Sequence, residues 1–217
     1  MKWLLELLLP PRPRCTICGL TNEGTVCASC MADIAAFQQL CSTDRLRPPD
    51  HARLKMFALL PYDGKVRKVI HRLKFANSPA IARSLALVFA EARVLPADGV
   101  DFVTAVPMHR ARYLERGYNQ AELLARELAA LQRLPFRPVL TRTRATPPQN
   151  TLGRAARARN VAGAFAARED LKGCRVLLVD DVYTTGNTAL ACAEALYRAN
   201  ALDVIVAVVA MSHAPRQ

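Results

Sequence analysis

The sequence predicts an α/β domain with a mainly parallel sheet, preceded by a small module that holds four cysteines. Three observations support this prediction. From residue 56 onward, short apolar runs alternate with helical patterns, as in a sheet whose strands are joined by crossover helices. Two of these runs, 175–180 and 204–210, have the nearly continuous apolar character of strands buried on both faces. Two C-x-x-C pairs stand close together near the amino terminus.

The pattern assigns each element in turn. Residues 42–55 contain prolines and mixed charge and are expected to be a linker, which divides the chain into a module of residues 1–45 and a domain of residues 56–217. The predicted strands and helices after the linker are strand 57–61, helix 84–93, strand 101–107, helix 119–132, strand 138–143, strand 175–180, a helix from Thr188 and strand 204–210.

One helix carries the clearest end signals. Asn119 is predicted to cap the helix over residues 119–132, with Glu122 three residues on as in a capping box. Leu124, Leu128 and Leu131 are expected to form its apolar face. At the end of the last predicted helix, Asn200 is expected to adopt the left-handed conformation that terminates helices.

Composition excludes a disordered chain and favours an anionic partner. The 217 residues are 52% hydrophobic and 22% charged, which is ordinary for a globular protein. Thirty Lys and Arg against eighteen Asp and Glu give a formal net charge of +12, which favours nucleic acid or a phosphate-rich ligand. The basic residues cluster in 65–74 and in the acid-free stretch 128–168. Residues 1–13 predict a short amphipathic helix without a cleavage site, so we expect a cytoplasmic protein.

The cysteines predict a metal site. Cys15, Cys18, Cys27 and Cys30 form two C-x-x-C pairs, and each pair can direct two thiolates at one tetrahedral ion. Zinc is the predicted ion, with thiolate-bound iron or a segment without metal as alternatives. So short a module has little apolar core, so metal binding would supply its folding free energy. Cys41 is left over and is expected to be a buried or spare thiol.

The most informative stretch is 176–188. Asp180 and Asp181 end a buried strand, where open α/β sheets bind ligands. The following loop presents hydroxyls and successive backbone amides at the start of a helix, which is typical of a phosphate cradle. Its residues are Thr184, Thr185, Gly186, Asn187 and Thr188. Carboxylates beside such a cradle predict a site for a phosphorylated sugar with two hydroxyls.

Three other interpretations compete. The aspartates could be solvated loop acids, with Thr188 only capping the helix. They could end a Walker-B strand, but the chain contains no G-x-x-x-x-G-K-[ST] phosphate loop. They could form the acidic pocket of a signalling receiver, but only the 36 residues 182–217 follow Asp181, too few for the rest of that domain.

The segment 176–188 resembles the signature of type I phosphoribosyltransferases, which bind phosphoribosyl pyrophosphate (PRPP). More widely, the chain resembles the ComF/GntX family of competence-associated, phosphoribosyltransferase-like proteins over residues 3–211. The resemblance is carried by the cysteine pairs, by this signature and by residues 62–64 with the basic helix to 75, 106–110, 116–121, 149–152 and 159–165. It implies a type I phosphoribosyltransferase-like parallel sheet with flanking helices, preceded by a small zinc-knuckle module with four cysteine ligands.

The resemblance also implies roles for residues. Asp180 and Asp181 would bind the ribose hydroxyls and stabilise positive charge on the ribose during catalysis, and 184–188 would bind the 5-phosphate. Pyrophosphate and Mg²⁺ would lie at the turn that carries Pro107, His109, Arg110 and Arg116. The arginine-rich connection 143–168 would be a lid over the pyrophosphate or a nucleic-acid contact, with Arg154, Arg157 and Arg159. Asn187 departs from the family, which more often has a small residue there, and Cys41 is all that remains of a second cysteine cluster.

Two functions from different classes follow. The first is a ComF-like protein of DNA uptake and natural transformation with a PRPP-binding site, whose partners are single-stranded DNA and a DNA-uptake helicase. A single strand would suit a groove lined by Arg142, Arg144, Arg154, Arg157 and Arg159. The aromatic side chains available for stacking are Tyr62, Phe75, Tyr113 and Tyr118. The alternative is an active phosphoribosyltransferase of nucleotide or base metabolism with an unknown nitrogen acceptor. No residue identifies itself as the base for that acceptor, so the sequence leaves catalysis open.

Overall fold

The computed structural model describes residues 13–40, 44–46, 54–75, 79–96, 99–143 and 163–212. The helices in these ranges are α1 (Ala28–Leu40), α2 (Gly64–Phe75), α3 (Pro79–Glu91), α4 (Arg110–Arg116), α5 (Gln120–Gln132) and α6 (Asn187–Arg198). The strands are β1 (Asp44–Leu46), β2 (Leu54–Pro61), β3 (Phe102–Ala105), β4 (Leu140–Arg142), β5 (Phe165–Ala167), β6 (Arg175–Tyr183) and β7 (Asp203–Met211). None of these helices is long and apolar enough to cross a membrane.

The central sheet has the strand order β1-β2-β7-β6-β3. Strands β2, β7, β6 and β3 run parallel, and β1 lies antiparallel to β2 at one edge. Residues 176–179 of β6 and 204–211 of β7 are all buried, because helices cover both faces of the sheet at these central strands. The predicted parallel α/β sheet is therefore confirmed.

The two faces of the sheet belong to different layers. On one face, Leu177 and Val179 of β6 pack in a cluster with side chains of α2, α3, α5 and the cysteine module. On the other face, Val176 and Leu178 pack with α6 and with the antiparallel pair β4–β5. Successive residues of a strand point to opposite faces, so the two residues after Val179 divide between these layers.

The predictions for the ends of α5 and α6 are confirmed in part. Asn119 caps α5, since its side chain accepts a hydrogen bond from the Ala121 amide at 3.1 Å. Asn200 has a φ of 63°, as predicted. The prediction that Glu122 completes a capping box is wrong, because this carboxylate instead pairs with Arg126 one turn on, at 2.7 Å.

The predicted leucine face of α5 is also corrected. Leu124 and Leu128 are buried, but Leu131 is 42% exposed. The buried stripe continues through Ala121, Ala125 and Ala129, which lie on the other side of Leu128, and Leu131 is left at the rim.

The segment predicted to be a linker contributes to the sheet. β1 lies within residues 42–55, and β2 begins at Leu54. Pairing of β1 covers an edge of β2 that would otherwise expose unpaired backbone groups. The cysteine module also packs on the sheet, because Cys30 and Ile34 belong to the same apolar cluster as Leu59 and Leu60.

Candidate functional site

The two aspartates of the signature lie inside β6, near its carboxyl end. The strand runs to Tyr183, which pairs with Met211, whereas the sequence predicted an end at residue 180. Pairing with β7 extends the strand, so Asp180 and Asp181 alternate in direction like the apolar residues before them. The two carboxylates therefore have different surroundings.

Asp181 points toward α2 and α5 and is held by two side chains. Its Oδ2 lies 2.8 Å from Nζ of Lys74, in the last turn of α2, and accepts a hydrogen bond from Nε2 of Gln120 at 3.3 Å. The side chain of Asp181 is 8% exposed and that of Lys74 is 27% exposed. A carboxylate this buried is costly to ionise alone, and the ammonium compensates its charge.

The hydrogen-bonded chain continues to a residue predicted for the pyrophosphate turn. Arg116, at the end of α4, donates through Nη1 to Oε1 of Gln120. Its guanidinium carbon lies 5.1 Å from the centroid of the Phe75 ring, next in sequence to Lys74. Tyr118 donates to the carbonyl of Leu73 at 2.9 Å. The end of α2 thus contacts the last residue of α4 through Phe75 and the segment after α4 through Leu73.

Asp180 points the other way, toward α6 and β4. Its Oδ1 accepts a hydrogen bond from the Asp181 amide at 2.8 Å. Burial, followed by the neighbouring charge of Asp181, raises the pKa of the Asp180 carboxyl well above its usual range. Asp180 in turn adds to the effect of burial in raising the pKa of the buried Cys192 thiol on α6.

The predicted phosphate loop has the backbone that a phosphate cradle needs. Gly186 is the residue before α6 and has a φ of 81°, a left-handed conformation that favours glycine. The first amides of a helix have no carbonyl partner within it, so those after Gly186 face outward from the helix end. Ser212, after β7, fixes the other side of the loop by donating its amide to the Tyr183 carbonyl at 2.8 Å.

The predicted pyrophosphate turn follows β3 at the same end of the sheet, where the parallel strands have their carboxyl ends. The Val106 amide donates to the Val179 carbonyl at 2.9 Å, and Asn119 Nδ2 donates to the Val106 carbonyl at 3.0 Å. Nδ1 of His109 accepts a hydrogen bond from the Ala111 amide at 3.2 Å, so this ring caps α4. Pro107 and His109 are half-buried, whereas Arg110 is exposed at the open side of the turn.

The arginine-rich connection is described only at its ends. Arg154, Arg157 and Arg159 lie outside the described residues. Within the segment predicted as the lid, 143–168, the residues Phe165–Ala167 form β5 and pair with β4. Arg142, which the groove hypothesis included, lies over the Phe165 ring at 5.5 Å. Burial, then the charge of Arg112, lowers the pKa of the Arg142 guanidinium.

The cysteine module brings its four predicted ligands together. The sulfur atoms of Cys15, Cys18, Cys27 and Cys30 all lie within 4.8 Å of one another, and those of Cys18 and Cys27 are 3.7 Å apart. A tetrahedral ion with metal–sulfur bonds of about 2.3 Å needs sulfurs about 3.8 Å apart. These four cysteines can therefore hold one metal ion.

The module's polar contacts favour thiolates at part of the cluster. The Cys27 amide donates to the Cys15 sulfur at 3.3 Å. Burial raises the pKa of the Cys15 thiol, but backbone hydrogen bonds at Cys18, Cys27 and Ile17 outweigh it and bring that pKa to about 6. Burial, then the neighbouring thiols of Cys27 and Cys18, raises the pKa of Cys30. A cation among the four sulfurs would favour the thiolate form of each.

Sequence reasoning missed Lys74 and Gln120 as site residues. The sequence marks 65–74 as a cluster of basic residues but does not place it at the site. It marks Gln120 only as part of the stretch 116–121. No local spacing marks either residue, because each meets Asp181 through tertiary packing. The one signal available was the basic run itself, of which Lys74 is the last residue.

The chain is similar to known proteins over most of its length. A family model described as "Phosphoribosyl transferase domain" matches residues 114–217. DNA utilization protein YhgH of Escherichia coli (strain K12) is 31% identical over 200 residues, which cover 88% of this chain and 87% of that protein. Competence protein F of Haemophilus influenzae is 30% identical over 171 residues, or 75% of this chain and 74% of that one.

Solved structures give a weaker similarity. Glutamine phosphoribosylpyrophosphate amidotransferase from B. subtilis, complexed with ADP and GMP, superposes with a TM-score of 0.44 at 20% identity. The match covers 64% of this chain and 30% of that one.

Proposed function

Since this chain belongs to the family of DNA utilization protein YhgH and competence protein F, we propose that it serves DNA uptake or use and binds PRPP or another phosphorylated ribose. The observation that carries the ligand assignment is the left-handed Gly186, which opens α6 directly after the strand that bears Asp180 and Asp181. A phosphate bound to the first amides of α6 would leave its ribose beside these carboxylates.

Each part of the ligand then has a partner of suitable chemistry. The amides and hydroxyls of Thr184–Thr188 bind the 5-phosphate, and Asp180 accepts a hydrogen bond from a ribose hydroxyl. The pyrophosphate lies toward Pro107, His109, Arg110 and Arg116, where cations and turn amides offset its charge. Mg²⁺ supplied with PRPP would neutralise part of the pyrophosphate charge. We propose binding and assign no acceptor base.

Calorimetric titration of PRPP with Mg²⁺ tests this assignment. The wild type is expected to bind in a saturable manner, and Asp180→Asn is expected to weaken binding by about tenfold or more, because the ribose hydroxyl loses its carboxyl partner. Asp101→Asn is the matched control, since this exposed aspartate also accepts a backbone amide, that of Arg175. If folded, metal-loaded wild type does not bind PRPP, the assignment is wrong.

A second activity, binding of single-stranded DNA, is favoured by two exposed rings. Phe75 is 63% exposed and Tyr113 is 48% exposed, and Arg116 stands against Phe75. Exposed aromatic rings beside an arginine provide stacking and charge for successive bases. Tyr118 is unsuited to this role, because its hydroxyl is bonded to the Leu73 carbonyl.

Fluorescence anisotropy of a labelled oligothymidine tests the DNA hypothesis. The Phe75→Ala, Tyr113→Ala double variant is expected to bind about tenfold more weakly at constant salt. Leu20→Ala, at a 68% exposed position in the cysteine module, is the control. Equal affinity in wild type and double variant would contradict a role for these rings.

We also propose that the four cysteines hold zinc. Four sulfurs within 4.8 Å of one another support this, with one pair at 3.7 Å. The small apolar core of the module also supports it, since its buried apolar residues among residues 13–39 are Cys15, Ile17, Cys30, Ile34 and Phe37.

A further inference from the structure

We propose that Lys74 is an anion-binding residue of the sheet-edge site, which comprises Asp180, Asp181 and the turns that follow β3 and β6. In the free protein Lys74 neutralises Asp181, and when the ligand binds Lys74 turns its ammonium to the ligand's pyrophosphate. This inference rests on the proposed function, since it names a residue of the same site. Lys74 lies on α2, outside the signature and outside the turn after β3.

The charge balance at the edge supports this role. Two adjacent carboxylates would repel a polyanion at the end of the sheet where the phosphate loop lies. Lys74, at 2.8 Å from Oδ2 of Asp181, cancels one of these charges from within the protein. Arg116, linked to Asp181 through Gln120, then adds positive charge to the same cluster. Lys74 and Arg116 thus offset the charges of the two carboxylates, so the cluster no longer repels an anion.

The exposure of the pair shows which partner an incoming ligand meets. The Lys74 side chain is 27% exposed and the Asp181 side chain 8%. A ligand that reaches the pair from solvent therefore meets the lysine before the carboxylate. A lysine ammonium has three donors on a flexible stem, so it can keep one bond to Asp181 while donating another to a phosphate oxygen.

A simple helix-end role does not account for Lys74. The last turn of α2 also contains Arg72, which is exposed and meets any preference for a cation at a helix C-terminus. Lys74 is instead turned inward to Asp181, and its neighbours Leu73 and Phe75 are engaged by Tyr118 and Arg116. The packing thus fixes the end of α2 against the site and holds the ammonium there.

Calorimetric titration of PRPP, once with EDTA and once with excess Mg²⁺, tests the proposal in Lys74→Met, Lys74→Arg and Lys68→Met. Lys74→Met is expected to bind about 10- to 100-fold more weakly than wild type with EDTA, since it lacks a hydrogen bond between charged groups. Excess Mg²⁺ is expected to recover most of that loss, because a bound cation replaces the missing charge. Lys74→Arg should stay close to wild type. Lys68→Met makes the same change at an exposed position of α2 and should bind normally.

Each other outcome decides against the proposal. Equal affinity of Lys74→Met and wild type with EDTA would show that the ammonium does not contact the ligand. Loss in both Lys74 variants that Mg²⁺ does not reverse, with a lower melting temperature, would show a structural ion pair only. If wild type binds PRPP in neither condition, the proposed function itself fails, which is distinct from a failure limited to the Lys74 variants.

Discussion

The cysteine module and the carboxyl edge of the sheet, where Asp180 and Asp181 lie, both contain groups that repel one another when ionised. The positive charge that compensates them comes from a different source in each region. In the module, the four sulfurs lie within 4.8 Å of one another, a spacing that suits a metal ion from solution as the balancing charge. At the edge, Asp181 is balanced by Lys74 of the same chain. On the proposed zinc assignment the module's fold depends on metal supply, whereas Asp181 has its counterion within the chain.

The largest expected effect is in the module. Cys18→Ser removes one of four ligands, and we expect loss of bound zinc together with several kcal/mol of the module's folding free energy. Metal analysis and hydrogen exchange of residues 13–40 would measure both. Cys174→Ser, at a half-buried thiol away from the cluster, should keep its metal. Full zinc content in Cys18→Ser would contradict the zinc assignment.

The next effect concerns the internal ion pair. Asp181→Asn leaves Lys74 without its anionic partner, and we expect the free energy of unfolding to fall by about 1–3 kcal/mol. The cost stays below that of a fully buried pair because the lysine, 27% exposed, can turn toward water. Urea unfolding of Asp181→Asn, Lys74→Met and the double variant would give the coupling energy. A coupling energy near zero would mean that Lys74 does not compensate the charge of Asp181.

Asp180→Asn is expected to change stability in the opposite direction. Burial and the charge of Asp181 raise the pKa of Asp180, so the folded state holds this proton more tightly than the unfolded state, whose value is about 3.9. The stability that this carboxyl contributes is present below its unfolded pKa and is lost as pH rises through the folded pKa. At neutral pH the asparagine should therefore be more stable than the aspartate, by on the order of 1 kcal/mol.

Thermal unfolding between pH 5 and 8 checks the sign. The melting temperature of Asp180→Asn should exceed that of wild type by about 2–4 °C at neutral pH, and the difference should grow with pH. Asp101→Asn, the exposed control, should show no such trend. A constant difference across this range would mean that the proton on Asp180 is not the cause. Opposite effects of the two substitutions would show that the charge of Asp181 is compensated in the folded state and that of Asp180 is not.

The two regions also differ in how much of their structure the sequence alone predicts. The module follows from local spacing, because two residues between cysteines already bring their sulfurs together. The core strands β6 and β7 follow from continuous apolar runs, and α5 follows from its Asn119 cap. The resemblance assigned Asp180 and Asp181 one shared role, but pairing of β6 with β7 continues past them, and alternation along the strand separates them.

Tertiary packing places the site residues that the sequence did not predict. Gln120 and Lys74 reach Asp181 only because α5 and α2 lie on the same face of the sheet, and no spacing in the sequence encodes that contact. The strand β1 was missed for a related reason, since its residues have no strand pattern and pair only because β2 offers a free edge.

The smallest expected effect tests whether the two regions act independently. Lys65, at the first turn of α2, lies 3.3 Å from Asp33 of α1 and so links the module to the helix that carries Lys74. Asp33 raises the pKa of Lys65, but the two side chains are 54% and 52% exposed, and such surface pairs often contribute nothing measurable to stability. Lys65→Met should therefore leave melting temperature, zinc content and PRPP affinity unchanged, and Lys68→Met, which makes the same change of charge, is its control. Weaker PRPP binding in Lys65→Met alone would show that α2 transmits the state of the module to Lys74, and the module would then be part of the ligand site's control.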